Sequence, residues 1–114
     1  MGDKQWLYEF NAQLDRIRVH FIIEGGRVTD VIVVQYEAYI DGQWRAIVRF
    51  DEAHGFFHRD ILSPGGEQNK TVLSVTDKND ALTQAITEIK ENWAEHRQRY
   101  EEQYYDQEQT NLPN

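Results

Sequence analysis

The sequence lacks cysteine, has two prolines among its 114 residues, and contains no long apolar run. Without cysteine there can be no disulfide framework, no thiolate metal centre and no cysteine nucleophile. The longest apolar run, residues 31–34, is far shorter than the roughly 20 residues that a membrane-spanning helix needs. We therefore expect a cytoplasmic protein that is neither secreted nor inserted in a membrane. We expect no cofactor, because the sequence has neither a Gly-rich phosphate loop nor a dinucleotide-binding fingerprint.

Positive charge is also scarce, because 12 Lys and Arg residues stand against 20 Asp and Glu residues, which gives a net charge of −8. Proteins that coat nucleic acid gain most of their affinity from Lys and Arg side chains that displace counterions. The negative net charge argues against a protein that coats nucleic acid. Several arginines in the first two-thirds of the chain could still form a local basic face. We expect a protein partner or a second copy of the chain, with RNA possible only at such a face.

The apolar pattern predicts a sheet followed by a helix. Apolar residues alternate with a period of two through the first two-thirds of the chain and recur at spacings of three and four in the last third. Asp77 has the side chain and position of a helix N-cap. Because 114 residues allow one core, we predict a single α+β domain over residues 1–106. It comprises an antiparallel sheet of four to six strands with one long C-terminal helix packed on one face, and residues 107–114 form a disordered tail.

Turn residues suggest how the strands pair. A two-residue turn at Gly25-Gly26 would place Glu24 opposite Arg27 and Val19 opposite Ile32. For the next turn we prefer three residues, 40–42, because a two-residue turn would set Ala38 opposite Arg45 and mix the faces of the sheet. These registers predict the core face of the sheet, which consists of Ile17, Val19, Phe21, Ile23, Ile32, Val34, Trp44, Ala46, Val48 and Phe50.

The other face of the predicted sheet gathers polar side chains. Val33 would lie between Arg18 and Arg49, and Val31 between His20 and Asp51. The default interpretation is the solvated outer face of a one-sided sheet. The alternative is a binding surface for an anion or a partner. Its candidate binding residues are Arg18, His20, Arg45 and Arg59.

Residues 49–60 hold the densest group of chemically active side chains in the chain. Strand alternation after Gly55 would send His58 and Asp60 to one side and Arg59 to the other. Asp51, His54 and His58 could then meet, with carboxylate-oriented imidazoles for general acid–base work and Arg49 to stabilise a developing negative charge. The candidate catalytic residues are therefore Arg49, Asp51, His54 and His58. Two imidazoles and a carboxylate could equally bind a metal, or could form only a structural loop; we assign no metal ligand.

The segment Arg-Phe-Asp-x-Ala-His-Gly-x-x-His-Arg-Asp at residues 49–60, with Gln-Tyr-Glu at 35–37 and Glu-Asn-Trp at 91–93, resembles a family of short prokaryotic proteins that has no assigned function. The resemblance covers about residues 16 to 100. More loosely, the pattern Arg-aromatic-Asp followed by histidines is similar to the toxins of TumE-type toxin–antitoxin pairs. Only Arg49, Phe50, Asp51, His54 and His58 map onto that pattern.

Two functional hypotheses follow. The leading one is a small toxin-like or RNA-processing protein that acts through the Arg, Asp and His side chains of the sheet. The alternative is a noncatalytic protein-interaction module. It would use the open sheet face or the tyrosine-rich end of the helix, at Tyr100, Tyr104 and Tyr105.

Overall fold

The computed structural model describes residues 1–110, except for the side chains of His54 and Thr110. The strands are β1 (Gly2–Phe10), β2 (Asp15–Glu24), β3 (Arg27–Ile40), β4 (Gln43–Asp51), β5 (His58–Leu62) and β6 (Gln68–Val72), and the helix is α1 (Lys78–Thr110). Every strand pairs antiparallel with its neighbours in the chain, so the six strands lie in sequence order. The predicted α+β architecture is confirmed.

The β2–β3 hairpin turns at Gly25 and Gly26, whose φ angles of 59° and 78° belong to the left-handed region that glycine tolerates. The predicted Glu24–Arg27 pair is present, but the register then shifts twice. Val19 faces Val34 and not Ile32, so that part of the prediction is wrong. The shifts leave one extra residue each on β3, which is how a bulge absorbs a mismatch between two strands.

The β3–β4 hairpin turns on two residues, Asp41 and Gly42, with φ angles of 51° and 78°. The predicted three-residue turn is wrong, because Ala38 does face Arg45. A register shift after Tyr36 restores the alternation of faces. This shift leaves one extra residue on β4. As a result, the β4 side chains between the shift and the turn lie on the opposite face of the sheet from the one predicted.

The core lies between α1 and one face of the sheet, with most helix contacts to β3 and β4. Val31 is buried and Ile32 is 43% exposed, the reverse of the predicted arrangement. Trp44 and Ala46 are only partly buried and are not core residues. The buried apolar side chains are Ile17, Val19, Phe21, Val31, Val34, Tyr36, Ala38, Ile40, Ile47, Val48, Phe50, Phe57, Leu62, Ala81, Ala85, Ile89, Tyr100 and Tyr104.

The helix begins as predicted, because the backbone N–H of Asp80 donates to Asp77 Oδ1 at 3.0 Å. It ends at Thr110, so residues 107–110 are helical and do not belong to a disordered tail. Glu and Gln, which are good helix formers, dominate this last part of the helix. Residues 111–114 lie outside the described residues. Within residues 1–110, no helix has the length and apolar character needed to cross a bilayer.

One buried ion pair fastens the helix to the sheet. Asp15 is fully buried and accepts hydrogen bonds from Arg97 Nη1 at 2.8 Å and from the Tyr36 hydroxyl at 2.5 Å. Arg97 Nη2 also donates to the Tyr39 carbonyl oxygen at 2.9 Å. Burial, together with the bond to Asp15, raises the pKa of Tyr36 well above its ordinary value, so the phenol stays a neutral donor. Helix and sheet are therefore joined by a buried polar connection within a largely apolar interface.

Candidate functional site

The candidate site lies on the open face, which is the side of the sheet turned away from α1. Arg18 and Arg49 flank the same residue of β3, as predicted in outline, but that residue is Gln35 and not Val33. The two bulges on β3 move Arg18 by two positions, and the single bulge on β4 together with the two-residue turn moves Arg49 by two. An apolar floor between the arginines is thus replaced by a polar side chain.

Glu37 pairs with both arginines of β2. Its carboxylate accepts hydrogen bonds from Arg16 Nε at 2.6 Å, from Arg18 Nε at 3.3 Å and from Gln35 Nε2 at 2.6 Å. Gln35 Oε1 in turn accepts from Arg49 Nε at 2.7 Å. Arg45 takes no part in this network, because it lies on the other face. Repulsion between neighbouring arginines is thus relieved within the protein, by a buried carboxylate.

Glu37 is ionised in this network. Burial alone raises the pKa of Glu37, but the hydrogen bonds from Arg16, Arg18 and Gln35 outweigh burial and hold the pKa below its ordinary value. A folded-state pKa below the unfolded value means that the ion pairs stabilise the fold above the ordinary Glu pKa. That stability is lost as the pH falls through the folded-state pKa.

We expect Glu37→Gln to flatten the acid dependence of stability. In the parental protein the free energy of unfolding should fall as the pH drops from the ordinary Glu pKa of 4.5 through the lower folded-state pKa of Glu37, and in Glu37→Gln this contribution should be absent. Urea denaturation at a series of pH values between neutral and acid measures it. Glu24→Gln, at an exposed position, is the control and should retain the parental pH dependence. An unchanged pH dependence in Glu37→Gln would contradict the assignment.

The second group on the open face is the Asp51–His58–Asp60 cluster. Asp51 pairs with His58 across β4 and β5, and Asp60 follows two residues later on the same face. His58 Nε2 lies 2.9 Å from Asp51 Oδ1 and 3.5 Å from Asp60 Oδ2. His58 is 1% exposed and Asp60 is 3% exposed. The predicted meeting of Asp51 and His58 is present, and Asp60 completes it.

The other predicted members of the site are placed differently. The side chain of His54 lies outside the described residues. His20 faces Val33 and contacts Asp3 of β1, with 2.8 Å between His20 Nε2 and Asp3 Oδ1, so it does not share Val31 with Asp51 as predicted. Arg49 lies directly across from Asp60 in the strand register.

Two predicted binding residues lie on the helix side of the sheet. The guanidinium of Arg45 lies 4.3 Å from the centre of the Tyr104 ring, and the Arg59 guanidinium pairs with Glu88 at 3.1 Å. Arg59 was expected to point away from His58, and it does. Arg45 was expected on the open face, but the two-residue turn moves it to the other side. Both arginines connect sheet and helix and are not available on the open face.

The tyrosine-rich end of the helix is mostly packed. Tyr100 and Tyr104 are buried, and Tyr105 is exposed. The Tyr104 hydroxyl donates to Asp41 Oδ2 at 2.5 Å, which together with burial raises the pKa of Tyr104 to about 12. The helix end therefore fastens the β3–β4 turn and leaves little aromatic surface for a partner.

Sequence reasoning missed an aromatic group on the open face. The Arg16 guanidinium lies 3.9 Å from the centre of the Trp44 ring, and the Tyr39 ring meets Trp44 edge-on at 5.4 Å between ring centres. We call Arg16, Arg18, Tyr39 and Trp44 the Trp44 patch. The Asp-Gly pair in the sequence could have predicted this group, because a two-residue hairpin turn at these residues puts Tyr39 and Trp44 opposite each other.

These features define a small α+β domain with one uncovered sheet face, which carries an aromatic and arginine patch and a buried Asp-His-Asp cluster. Residues 1–106 match the family described as a domain of unknown function, DUF7718, and the chain belongs to that family. No curated protein and no solved structure matches the chain.

Proposed function

We propose that this protein is a noncatalytic interaction module that binds an acidic, partly apolar segment of a partner protein through the Trp44 patch. The observation that carries the proposal is the stacking of Arg16 on Trp44 beside Tyr39, on the sheet face turned away from α1. Trp, Tyr and Arg are the residues most enriched among binding hot spots. In this patch they form one continuous surface.

The patch is held in place before any partner binds. The Glu37 carboxylate accepts a hydrogen bond from Arg16 Nε at 2.6 Å, and the Arg16 side chain is only 16% exposed, so this guanidinium already has a defined position. Ordering a long side chain on association costs about 0.5–1.5 kcal/mol, and this cost is reduced where the side chain is already fixed. A rigid Trp44 patch therefore favours binding over a merely solvated surface.

Charge suggests the chemistry of the partner. Arg18 is 44% exposed at its side chain and makes only long bonds to Glu37, at 3.3 and 3.5 Å. Arg49 uses Nε for Gln35, and among the described groups its two terminal nitrogens have no hydrogen-bond acceptor. Guanidinium groups bind carboxylates through paired donors. A carboxylate beside an apolar side chain would satisfy both the arginines and the aromatic rings.

RNA processing remains the second candidate. The observation in its favour is the Asp51–His58 pair with Arg49 on the neighbouring register position, which has the components of acid–base catalysis on a phosphodiester. A general acid or base must reach its substrate, and His58 is almost completely buried. This burial is the reason for placing the catalytic hypothesis second.

Peptide selection against the purified protein tests the proposal. We expect a displayed peptide library to yield acidic sequences with apolar residues, and Trp44→Ala or Arg18→Glu to weaken their binding by about 30-fold, as for a hot spot of 2 kcal/mol. The matched controls are Trp6→Ala, a half-exposed tryptophan of β1, and Arg27→Glu, an arginine that is 74% exposed at its side chain. Both should bind as the parental protein does.

The opposite result would be selected peptides that bind equally well to the Trp44 and Arg18 variants, or no selection at all. The same protein preparation should be incubated with RNA. Cleavage that disappears in His58→Gln and persists in Trp44→Ala would overturn the interaction module and support the catalytic candidate.

A further inference from the structure

The Asp51–His58–Asp60 cluster brings three metal-ligand atoms together. One ligand atom from each residue lies within 4.8 Å of the other two, and His58 Nε2 is 2.9 and 3.5 Å from the carboxylate oxygens. Metal–ligand bonds of about 2.0 Å in tetrahedral geometry place neighbouring ligand atoms about 3.3 Å apart. The two measured separations lie on either side of that spacing.

The hydrogen bonds of the cluster present lone pairs to its centre. His58 Nδ1 lies 3.2 Å from the Phe56 carbonyl oxygen, so the ring proton on Nδ1 has an acceptor. In the neutral ring with its proton on Nδ1, Nε2 carries a lone pair that faces carboxylate oxygens of Asp51 and Asp60. Three converging acceptors are stabilised by a positive charge between them, which is either a proton on Nε2 or a bound cation. A backbone carbonyl that holds the second ring nitrogen is also the usual support of a metal-binding histidine.

Burial limits the solvation of the cluster by water. His58 and Asp60 are almost fully buried, and Asp60 Oδ1 is a buried oxygen without a hydrogen bond among the described residues. Lys70 Nζ lies 3.1 Å from that oxygen, on the exposed edge strand β6. One lysine charge does not balance two carboxylates. A cation bound between the carboxylates would supply the missing positive charge.

We infer that the Asp51–His58–Asp60 cluster binds a divalent transition-metal ion of the Zn²⁺ class. One imidazole and two carboxylates suit zinc better than magnesium, which prefers oxygen ligands alone and retains its water. The backbone N–H of Ala53 donates to Asp51 Oδ1 at 3.0 Å and positions this ligand. The site differs from the metal site considered from the sequence, because Asp60 takes the place given there to His54. It is independent of the proposed interaction function.

The ion would act at the β4–β5 connection. Asp51 ends β4 and His58 begins β5, so a bound ion joins both ends of the six-residue connection between them. Asp51 is less buried than His58 and Asp60, and the remaining coordination position therefore opens on its side. A water molecule or a carboxylate ligand fits that position.

Zinc titration of the full chain, without an affinity tag and after treatment with a chelator, tests the inference. Calorimetry should give one Zn²⁺ per chain, and excess Zn²⁺ should raise the thermal midpoint because it binds the folded state, whereas Mg²⁺ at the same concentration should not. Asp60→Asn and His58→Gln should weaken zinc binding by more than about 100-fold, since loss of even an outer-shell partner costs 10- to 100-fold.

The matched control is His20→Gln, which removes a histidine from another His–Asp contact on the same face, His20 to Asp3 at 2.8 Å. This variant should bind zinc as the parental protein does. If the ligand variants fail to fold, X-ray absorption of the parental zinc complex provides a second measurement. It should show one imidazole nitrogen and two carboxylate ligands.

Three outcomes would overturn the inference. The first is no zinc binding, which would mean that a proton on His58 Nε2 supplies the positive charge. The second is zinc binding that survives in folded Asp60→Asn and His58→Gln. The third is a parental zinc complex whose absorption spectrum lacks the imidazole ligand. None of them bears on peptide binding by the Trp44 patch, so the two proposals fail separately.

Discussion

Arg97→Ala is expected to lose about 3–5 kcal/mol of unfolding free energy, because it leaves the buried Asp15 carboxylate without its charged partner. Asp15 is completely buried, and Arg97 Nη1 donates to it at 2.8 Å. The same guanidinium also bonds to the carbonyl oxygens of Leu14 and Tyr39. Urea denaturation at neutral pH measures the loss. The free energy of unfolding of a typical domain is only about 5–15 kcal/mol, so this loss would be a large part of it.

The control for this prediction is Arg27→Ala. Arg27 also pairs with an aspartate, Asp77, but at 3.9 Å and with a largely exposed side chain. An exposed ion pair contributes about 0–1 kcal/mol, so this variant should be nearly as stable as the parental protein. Equal losses in Arg97→Ala and Arg27→Ala would contradict the role given to the buried pair.

Ile89→Ala is expected to cost about 2–5 kcal/mol, since it leaves a cavity in the centre of the helix–sheet interface. Ile89 is 0% exposed. Thermal or urea denaturation measures the effect. Ile32→Ala is the informative control, because the alternating pattern places Ile32 in the core and the structure exposes it. It should cost less than about 1 kcal/mol, as is usual for surface changes.

A large loss in Ile32→Ala with a small one in Ile89→Ala would reverse this assignment. It would favour the unbulged register that simple alternation predicts, and would contradict the helix-on-sheet packing. The pair of substitutions removes the same atoms from the same residue type. Their difference therefore reports burial, after allowance for the higher propensity of alanine for helices and its lower propensity for strands.

The fold class could be predicted because the change of apolar period from two to 3.6 survives local errors of register. The register itself could not, because residues 31–34 are all apolar and alternation there does not say which side chain faces the helix. Extra residues on β3 and β4 set the faces, and each bulge moves every later side chain relative to its neighbours. Errors at Ile32, Trp44 and Arg45 all arise from these shifts.

The candidate site was partly predictable, because part of it depends only on local strand pairing. Asp51 and His58 lie on two strands joined by a short connection, so their meeting follows from local pairing. Asp60 was on the predicted side, but only the packed structure reveals its burial. The Asp15–Arg97 pair spans 82 positions in the chain. No local pattern relates residues that far apart, because their contact depends on how the helix crosses the sheet.

The sequential strand order has a consequence for how the chain folds during synthesis. Each strand pairs with the one made just before it, so hairpins can form one after another without waiting for distant segments, which keeps contact order low for a β-rich protein. The helix follows all six strands. Until the helix emerges from the ribosome, the sheet side chains that it will pack against, such as Ile17, Tyr36 and Val48, are exposed to solvent. A nascent chain halted before Lys78 would therefore present an apolar sheet face, and chaperone binding should be strongest at that stage.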